Sequence, residues 1–190
     1  MSNWLGTANG GLQDNGNIVN QYVPLDWKIA GTGDFNGDGR SDILWRNDNG
    51  RLSQWLGTAN GGLSDNFANV NSFVPTSWKV AEIADFNGDG FADVLWRNDN
   101  GQLSEWLGSA SGRLIDNGSV VNQIVPLVWK IAGTGDFNGD GRANIVWRSD
   151  SGQLSEWLGT AKGGFADNGG IVNQFVPTAW SIHIEDYQLV

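Results

Sequence analysis

Cysteine is absent from this 190-residue chain, histidine and methionine occur once each, and proline only four times. Without thiols there is no disulfide framework, and the redox compartment leaves no mark on the sequence. Four prolines beside 28 glycines exclude collagen and a proline-rich linker. Basic residues are also scarce: 11 Lys and Arg stand against 21 Asp and Glu, a formal charge of −10. That balance argues against nucleic acid as a partner, because phosphate binding needs a basic face that releases counterions. No apolar run approaches a membrane span, and residues 1–12 lack the basic and apolar regions of a signal peptide. The lone histidine, His183, has no cysteine or repeated serine to pair with, and no G-x-x-x-x-G-K phosphate loop occurs. The expectation is that the chain is not an enzyme.

Tryptophan, by contrast, is abundant, and its placement is periodic. Trp4, Trp55, Trp106 and Trp157 are spaced by 51 residues; so are Trp27, Trp78, Trp129 and Trp180, and so are Trp45, Trp96 and Trp147. These three series contain all 11 tryptophans. The register runs without insertion until Asp186-Tyr187, which falls one place early. Large aromatics in this number also exclude disorder.

Each unit reads as four short strands separated by turn chemistry. In the third unit the expected strands are 129–136, 144–148, 153–158 and 171–176, the last ending at Pro177. No segment sustains a 3.6-residue apolar period with caps, so almost no helix is expected. Four strands in a unit of about 40 to 50 residues with recurrent Trp predict an all-β β-propeller of four-stranded blades, ahead of a parallel β-helix. Residues 1–26 then supply the outer strands of a split blade. Residues 27–77, 78–128 and 129–179 are full blades, and 180–190 is the first strand of a split blade. Two closures fit: a four-bladed monomer, or a shared-blade homodimer of about eight blades, the latter favoured because an open end exposes a Trp-rich face.

The strongest motif lies between the first two strands of each unit. It reads Asp34-Phe-Asn36-Gly-Asp38-Gly-Arg40-Ser-Asp42, then Asp85-Phe-Asn87-Gly-Asp89-Gly-Phe91-Ala-Asp93, then Asp136-Phe-Asn138-Gly-Asp140-Gly-Arg142-Ala-Asn144. Oxygen side chains at positions 1, 3, 5 and 9, with the carbonyl of position 7, converge when glycine at position 6 permits a sharp turn. Hard oxygen donors in a flexible loop suit Ca²⁺. An EF-hand is excluded, since its twelfth-position Glu would fall on Trp45, Trp96 or Trp147. Up to three calcium ions are expected, and three would bring the formal charge from −10 to −4. The third site should be weakest, because Asn144 replaces a carboxylate.

With Gly-Asp-Phe-Asn-Gly-Asp-Gly, the following Asp-Ile-Leu-Trp-Arg and the later Trp-Leu-Gly in view, the repeat resembles FG-GAP or VCBS-type units. Such units occur in integrin α-subunit propellers, in integrin-like propeller lectins and in many bacterial surface and secreted proteins. The resemblance covers essentially the whole chain. It implies calcium between the first two strands of a blade, and a secreted or cell-surface location suited to millimolar calcium. It names no ligand: the expected role is a structural or protein-adhesion module, the alternative a lectin with repeated sugar sites between blades. For the alternative, Trp27, Trp78, Trp129 and Trp180 at a strand entrance are the candidate ligand contacts, while the Trp45 and Trp106 series are expected to pack in the core. Arg46, Arg97 and Arg148 are expected to form structural ion pairs, and Asn20, Asn71, Asn122 and Asn173 to satisfy backbone near the fourth strand.

Overall fold

The computed structural model describes residues 4–16, 22–70 and 72–180, and these contain strands and turns but no helix. A hairpin comes first, β1 (Trp4–Gly6) with β2 (Leu12–Asp14). Three four-stranded sheets follow. The first is β3 (Trp27–Gly33), β4 (Asp42–Asn47), β5 (Leu52–Gly57) and β6 (Leu63–Asp65). The second is β7 (Trp78–Ala84), β8 (Asp93–Asn98), β9 (Leu103–Leu107) and β10 (Ile115–Asp116). The third is β11 (Trp129–Gly135), β12 (Asn144–Ser149), β13 (Leu154–Gly159) and β14 (Phe165–Asp167). Each is an antiparallel meander in sequence order, as expected of a propeller blade. The described residues do not close into a ring.

Two features of the sequence shape these meanders. A β-bulge interrupts the first pair of every sheet, between Ile29 and Gly31, Val80 and Glu82, and Ile131 and Gly133. The extra residue is Ala30, Ala81 or Ala132, small enough to sit in the bend that such an insertion makes. β3 lies beside β7, and β7 beside β11, so the first strands pack side by side. The second strands are then covered on both faces, which explains the apolar runs Ile43-Leu44-Trp45, Val94-Leu95-Trp96 and Ile145-Val146-Trp147.

Two equivalent cores form between adjacent sheets. Phe35, Leu44, Leu52, Val70 and Val74 of the first sheet and its return segment pack with Val94 and Trp96 of the second. Phe86, Leu95, Leu103, Val121 and Val125 pack in the same way with Ile145 and Trp147. Each large apolar side chain buried here contributes about 2 kcal/mol or more, so these two interfaces hold the sheets together.

Two expectations need correction. The fourth strand is not 171–176 but Phe165–Asp167, and its counterparts are Leu63–Asp65 and Ile115–Asp116. The tight turn from Thr160 to Gly164 brings the chain straight back onto β13. The later apolar segment touches the sheet through one bridge, Gln153 to Phe175, and its counterparts Val70, Val74, Val121 and Val125 fill the inter-sheet cores. Its hydrophobicity serves packing between sheets rather than a ladder. Among the described residues Arg46, Arg97 and Arg148 form no carboxylate pair: Arg97 donates to the carbonyls of Trp129, Val125 and Pro126, and Arg46 and Arg148 repeat this pattern. Carbonyls meet the guanidinium because each return segment ends at a proline, where chain direction changes and ladder partners run out.

Of the asparagines, Asn122 and Asn173 accept hydrogen bonds from the side chains of Gln102 and Gln153, while Asn20 and Asn71 lie outside the described residues. So does the strand expected at 180–190, beyond Trp180, and with it His183.

Candidate metal loops and aromatic clefts

Each acidic motif is the hairpin loop joining the first two strands of a sheet, so it sits at one fixed corner of each unit. In the first loop Asp34 accepts the Asp38 amide at 3.0 Å on one carboxylate oxygen and the Gly39 amide at 2.7 Å on the other. Asn36 Oδ1 also accepts from the Asp38 amide, and Asn36 Nδ2 donates to Asp38 Oδ2 at 3.0 Å. Asp38 Oδ1 in turn accepts the Arg40 amide at 3.0 Å. Gly37 and Gly39 take φ of 71° and 80°, the left-handed conformation that this turn requires.

The geometry recurs. Asp85, Asn87 and Asp89 make the corresponding bonds to the amides of Asp89, Gly90 and Phe91. Asp136, Asn138 and Asp140 do the same with Asp140, Gly141 and Arg142. The Gly141 amide, with further amides of the loop, holds the Asp136 carboxyl below its ordinary range.

Position 9 behaves differently from positions 1, 3 and 5. Asp42 is fully buried and gives one oxygen to the Phe35 amide at 2.9 Å and the other to the Gly57 amide at 2.8 Å. Burial pushes its pKa up to about 6, against the pull of those two amides. Asp93 takes the amides of Phe86 and Gly108, both at 2.9 Å, and burial raises it to about 7. Asn144 accepts from the Phe137 amide and donates Nδ2 to the Arg142 carbonyl at 3.3 Å. In the first two loops the ninth residue thus ties the loop to the end of the third strand, whereas Asn144 bonds within its own loop. No motif in the sequence pointed to Gly57 and Gly108 as partners, because the contact spans 15 residues.

Position 7 also separates the loops. Arg40 pairs with Asp38 and reaches the Gly57 carbonyl through Nε, and Arg142 pairs with Asp140 at 2.6 Å and reaches the Gly159 carbonyl. Phe91 brings no guanidinium to Asp89. Its ring lies instead against Gly37 of the preceding loop, where an added Cβ would come within 2.6 Å.

The donors fit a hard cation through the oxygens of Asp34, Asn36 and Asp38, and their counterparts, together with the position-7 carbonyl. Among the described residues no three acidic or histidine side chains gather at one point, since the ninth position spends its oxygens on amides.

The tryptophans expected in the core are found there except Trp4 of the Trp106 series, which is 58% exposed. Trp45, Trp96 and Trp147 are buried and meet Trp55, Trp106 and Trp157 edge-to-face, with centroids 5.1, 5.4 and 5.3 Å apart. Trp27, Trp78 and Trp129 are half-buried, and Trp180 is exposed. Trp27 joins Tyr22, Pro24, Trp45, Ser53 and Trp55 around a cleft of about 100 Å³. Trp129 lines an equivalent cleft of about 140 Å³ with Ile124, Pro126, Trp147, Ser155 and Trp157. The Trp45 and Trp147 indole nitrogens are sealed from solvent and have no hydrogen-bond partner among the described residues, so these two side chains offer the clefts ring surface rather than an N–H donor.

Antiparallel four-stranded sheets, each with an acidic hairpin at the same corner, define an all-β repeat protein of the propeller-blade class. Residues 34–96 match the FG-GAP-like repeat family and residues 81–112 the FG-GAP repeat family. Residues 34–112 thus carry FG-GAP repeat sequence, the kind of unit found in integrin-like propellers. No curated protein matches it.

Proposed function

We propose that the chain is a calcium-binding extracellular module whose sheets form a rigid propeller scaffold for adhesion or for a structural role. The supporting observation is the threefold recurrence of one loop geometry, in which Asp, Asn and Asp side chains at positions 1, 3 and 5 turn inward on a shared set of amides. These loops concentrate negative charge in a chain already at −10, and a divalent ion relieves that repulsion. Loops of this kind with Kd near 10⁻⁴–10⁻³ M fill at extracellular calcium, which accords with secretion or surface display. The test is thermal melting against calcium. One site at 100 times its Kd stabilises by about 2.7 kcal/mol, and about 2–4 °C accompanies each kcal/mol at this size. A melting temperature indifferent to 10 mM calcium or to chelator would refute the reading.

A lectin is the second reading, favoured by the two equivalent tryptophan clefts at Trp27 and Trp129. Indole faces stack on the apolar faces of sugar rings, and repeated weak sites gain avidity. A glycan array with and without chelator separates the two readings. Specific glycan binding supports the lectin; a blank array from folded, calcium-loaded protein leaves adhesion or scaffolding.

A further inference from the structure

Adjacent sheets are joined by the same small device three times. At the first junction Leu5 and Asn15 of the β1–β2 hairpin close on Gly61, and Asn15 Nδ2 donates to its carbonyl at 2.9 Å. At the second, Leu56 and Asn66 close on Gly112, and Asn66 donates to the Ser111 carbonyl at 3.2 Å. At the third, Leu107 and Asn117 close on Gly163, and Asn117 donates to the Lys162 carbonyl at 3.3 Å. A Cβ on any of these glycines would lie under 3.0 Å from at least one of the inserted side chains. Only glycine leaves the socket, and each has positive φ.

The series has one socket and one plug left over. Gly10, in the turn between β1 and β2, has the same left-handed φ of 79°, but among the described residues nothing lies within 4 Å of its Cβ position. Leu158 and Asn168 on the third sheet continue the plug series at the 51-residue spacing.

The apolar surfaces tell the same story independently. Trp106 with Leu114, and Trp157 with Phe165, pack against the inter-sheet core that precedes them. Their counterparts in the hairpin, Trp4 and Leu12, are 58% and 69% exposed. On the far side, Phe35 and Phe86 are fully buried while Phe137 is 48% exposed. Among the described residues, the hairpin and the third sheet therefore carry the two halves of a fourth junction, and within one chain those halves do not meet.

We propose that a second copy of this chain completes that junction, the third sheet of one copy seating on the β1–β2 hairpin of the other through Leu158 and Asn168 at Gly10 and Phe137 against Trp4 and Leu12. Each copy supplies both halves, so two copies close through two identical junctions. The surface is apolar and its template is the contact already made three times within the chain. The proposal stands whether or not the loops take up calcium.

The absence of cysteine makes disulfide trapping clean. By the register of the Asn117–Lys162 contact, residue 168 of one copy lies beside residue 9 of the next. Asn9→Cys and Asn168→Cys proteins, mixed and mildly oxidised at fixed millimolar calcium, are expected to form a mixed two-chain product. Light scattering should give the mass of two chains, falling to one chain in Phe137→Asp and, from the opposite half, in Leu12→Glu. Both residues are exposed, and circular dichroism is to check that the variants remain folded. A one-chain mass at every concentration with no mixed product overturns the proposal. So does the double-cysteine variant cross-linking only within itself, which would mean that the chain closes on its own ends.

Discussion

Arg46 of the first sheet lies over the Trp96 ring of the second, its guanidinium carbon 5.5 Å from the ring centroid, and Arg97 repeats the contact on Trp147 at 5.4 Å. Each guanidinium also donates to three backbone carbonyls of the segment entering the next sheet. One side chain therefore staples the second strand of a sheet, the tryptophan of the following sheet and the chain that leads into it. Burial lowers the pKa of both arginines, yet they stay charged because an arginine starts so high.

Arg97→Ala should accordingly cost about 2–3 kcal/mol, since it leaves carbonyls without their charged donor and uncovers an indole face. At this size that is a fall of very roughly 4–12 °C in melting temperature. Arg97→Lys should recover less than half of it, because one ammonium cannot span three carbonyls and cover a ring. Full rescue by lysine would show that charge alone matters.

A buried acid gives the fold a pH dependence. Glu105 is fully buried, and one of its oxygens accepts from Asn117 at 2.9 Å and from the Gly164 amide at 2.8 Å. The other oxygen has no hydrogen-bond partner among the described residues. Burial raises its pKa, outweighing those two bonds. A carboxyl group raised in the folded state contributes stability at pH below its unfolded value and loses it as pH rises through the folded value. The first sheet has the neutral Gln54 at the equivalent position, bonded to Asn66 in the same way. Glu105→Gln should therefore leave the melting temperature nearly unchanged at pH 4, raise it by a few degrees at pH 8, and flatten the profile between. An identical pH profile in both proteins would remove Glu105 from the account.

How much of this was legible beforehand follows from the range of each interaction. The Trp45, Trp96 and Trp147 series announced a repeat, and repeat spacing with turn chemistry is local, so the first three strands of each unit fell where Trp129, Asn144 and Gln153 placed them to within a residue or two. The fourth did not, because Val121 and Val125, like Val172 and Val176 in the next unit, look like a strand to any local reading, while Val121 and Val125 pack with Ile145 and Trp147 of the neighbouring sheet. Arg97 failed for the same reason: its acceptors are backbone carbonyls about 30 residues away, which have no side-chain signature. Positions 1, 3 and 5 of the loops were readable, since their bonds stay within five residues. The attachment of Asp42 to the Gly57 amide was not.

A glycine ends or directly follows the third strand of every sheet because another backbone passes there. A Cβ on Gly108 would stand 2.5 Å from the Ala92 carbonyl and 2.8 Å from Phe91 Cβ. Neither atom is the free end of a side chain, so the loop itself must move, and with it the amide that Gly108 gives to Asp93. Gly108→Ala should cost about 2 kcal/mol or more. Gly170 has nothing within 4 Å among the described residues and no positive φ, so Gly170→Ala should be neutral or slightly stabilising through the unfolded chain. Equal melting temperatures for the two variants would contradict the close approach at Gly108.

The three loops should differ in calcium affinity, and the structure supplies reasons beyond the count of carboxylates. In the first and third loops a guanidinium already sits on the position-5 carboxylate, Arg40 on Asp38 and Arg142 on Asp140, and an incoming cation must displace it. In the third loop Asn144 additionally ties up the Arg142 carbonyl that would complete the shell. The second loop has neither competitor, because Phe91 is turned onto Gly37. The expected order is second, first, third. Isothermal titration of Asp89→Asn should lose the tightest site, while Asp140→Asn should lose only the weakest. Arg40→Ala should tighten the first site, because the repulsion and competition from one positive charge are gone. If Arg40→Ala weakens that site instead, the arginine is helping to hold the loop open for the ion, and the ranking by competing guanidinium is wrong.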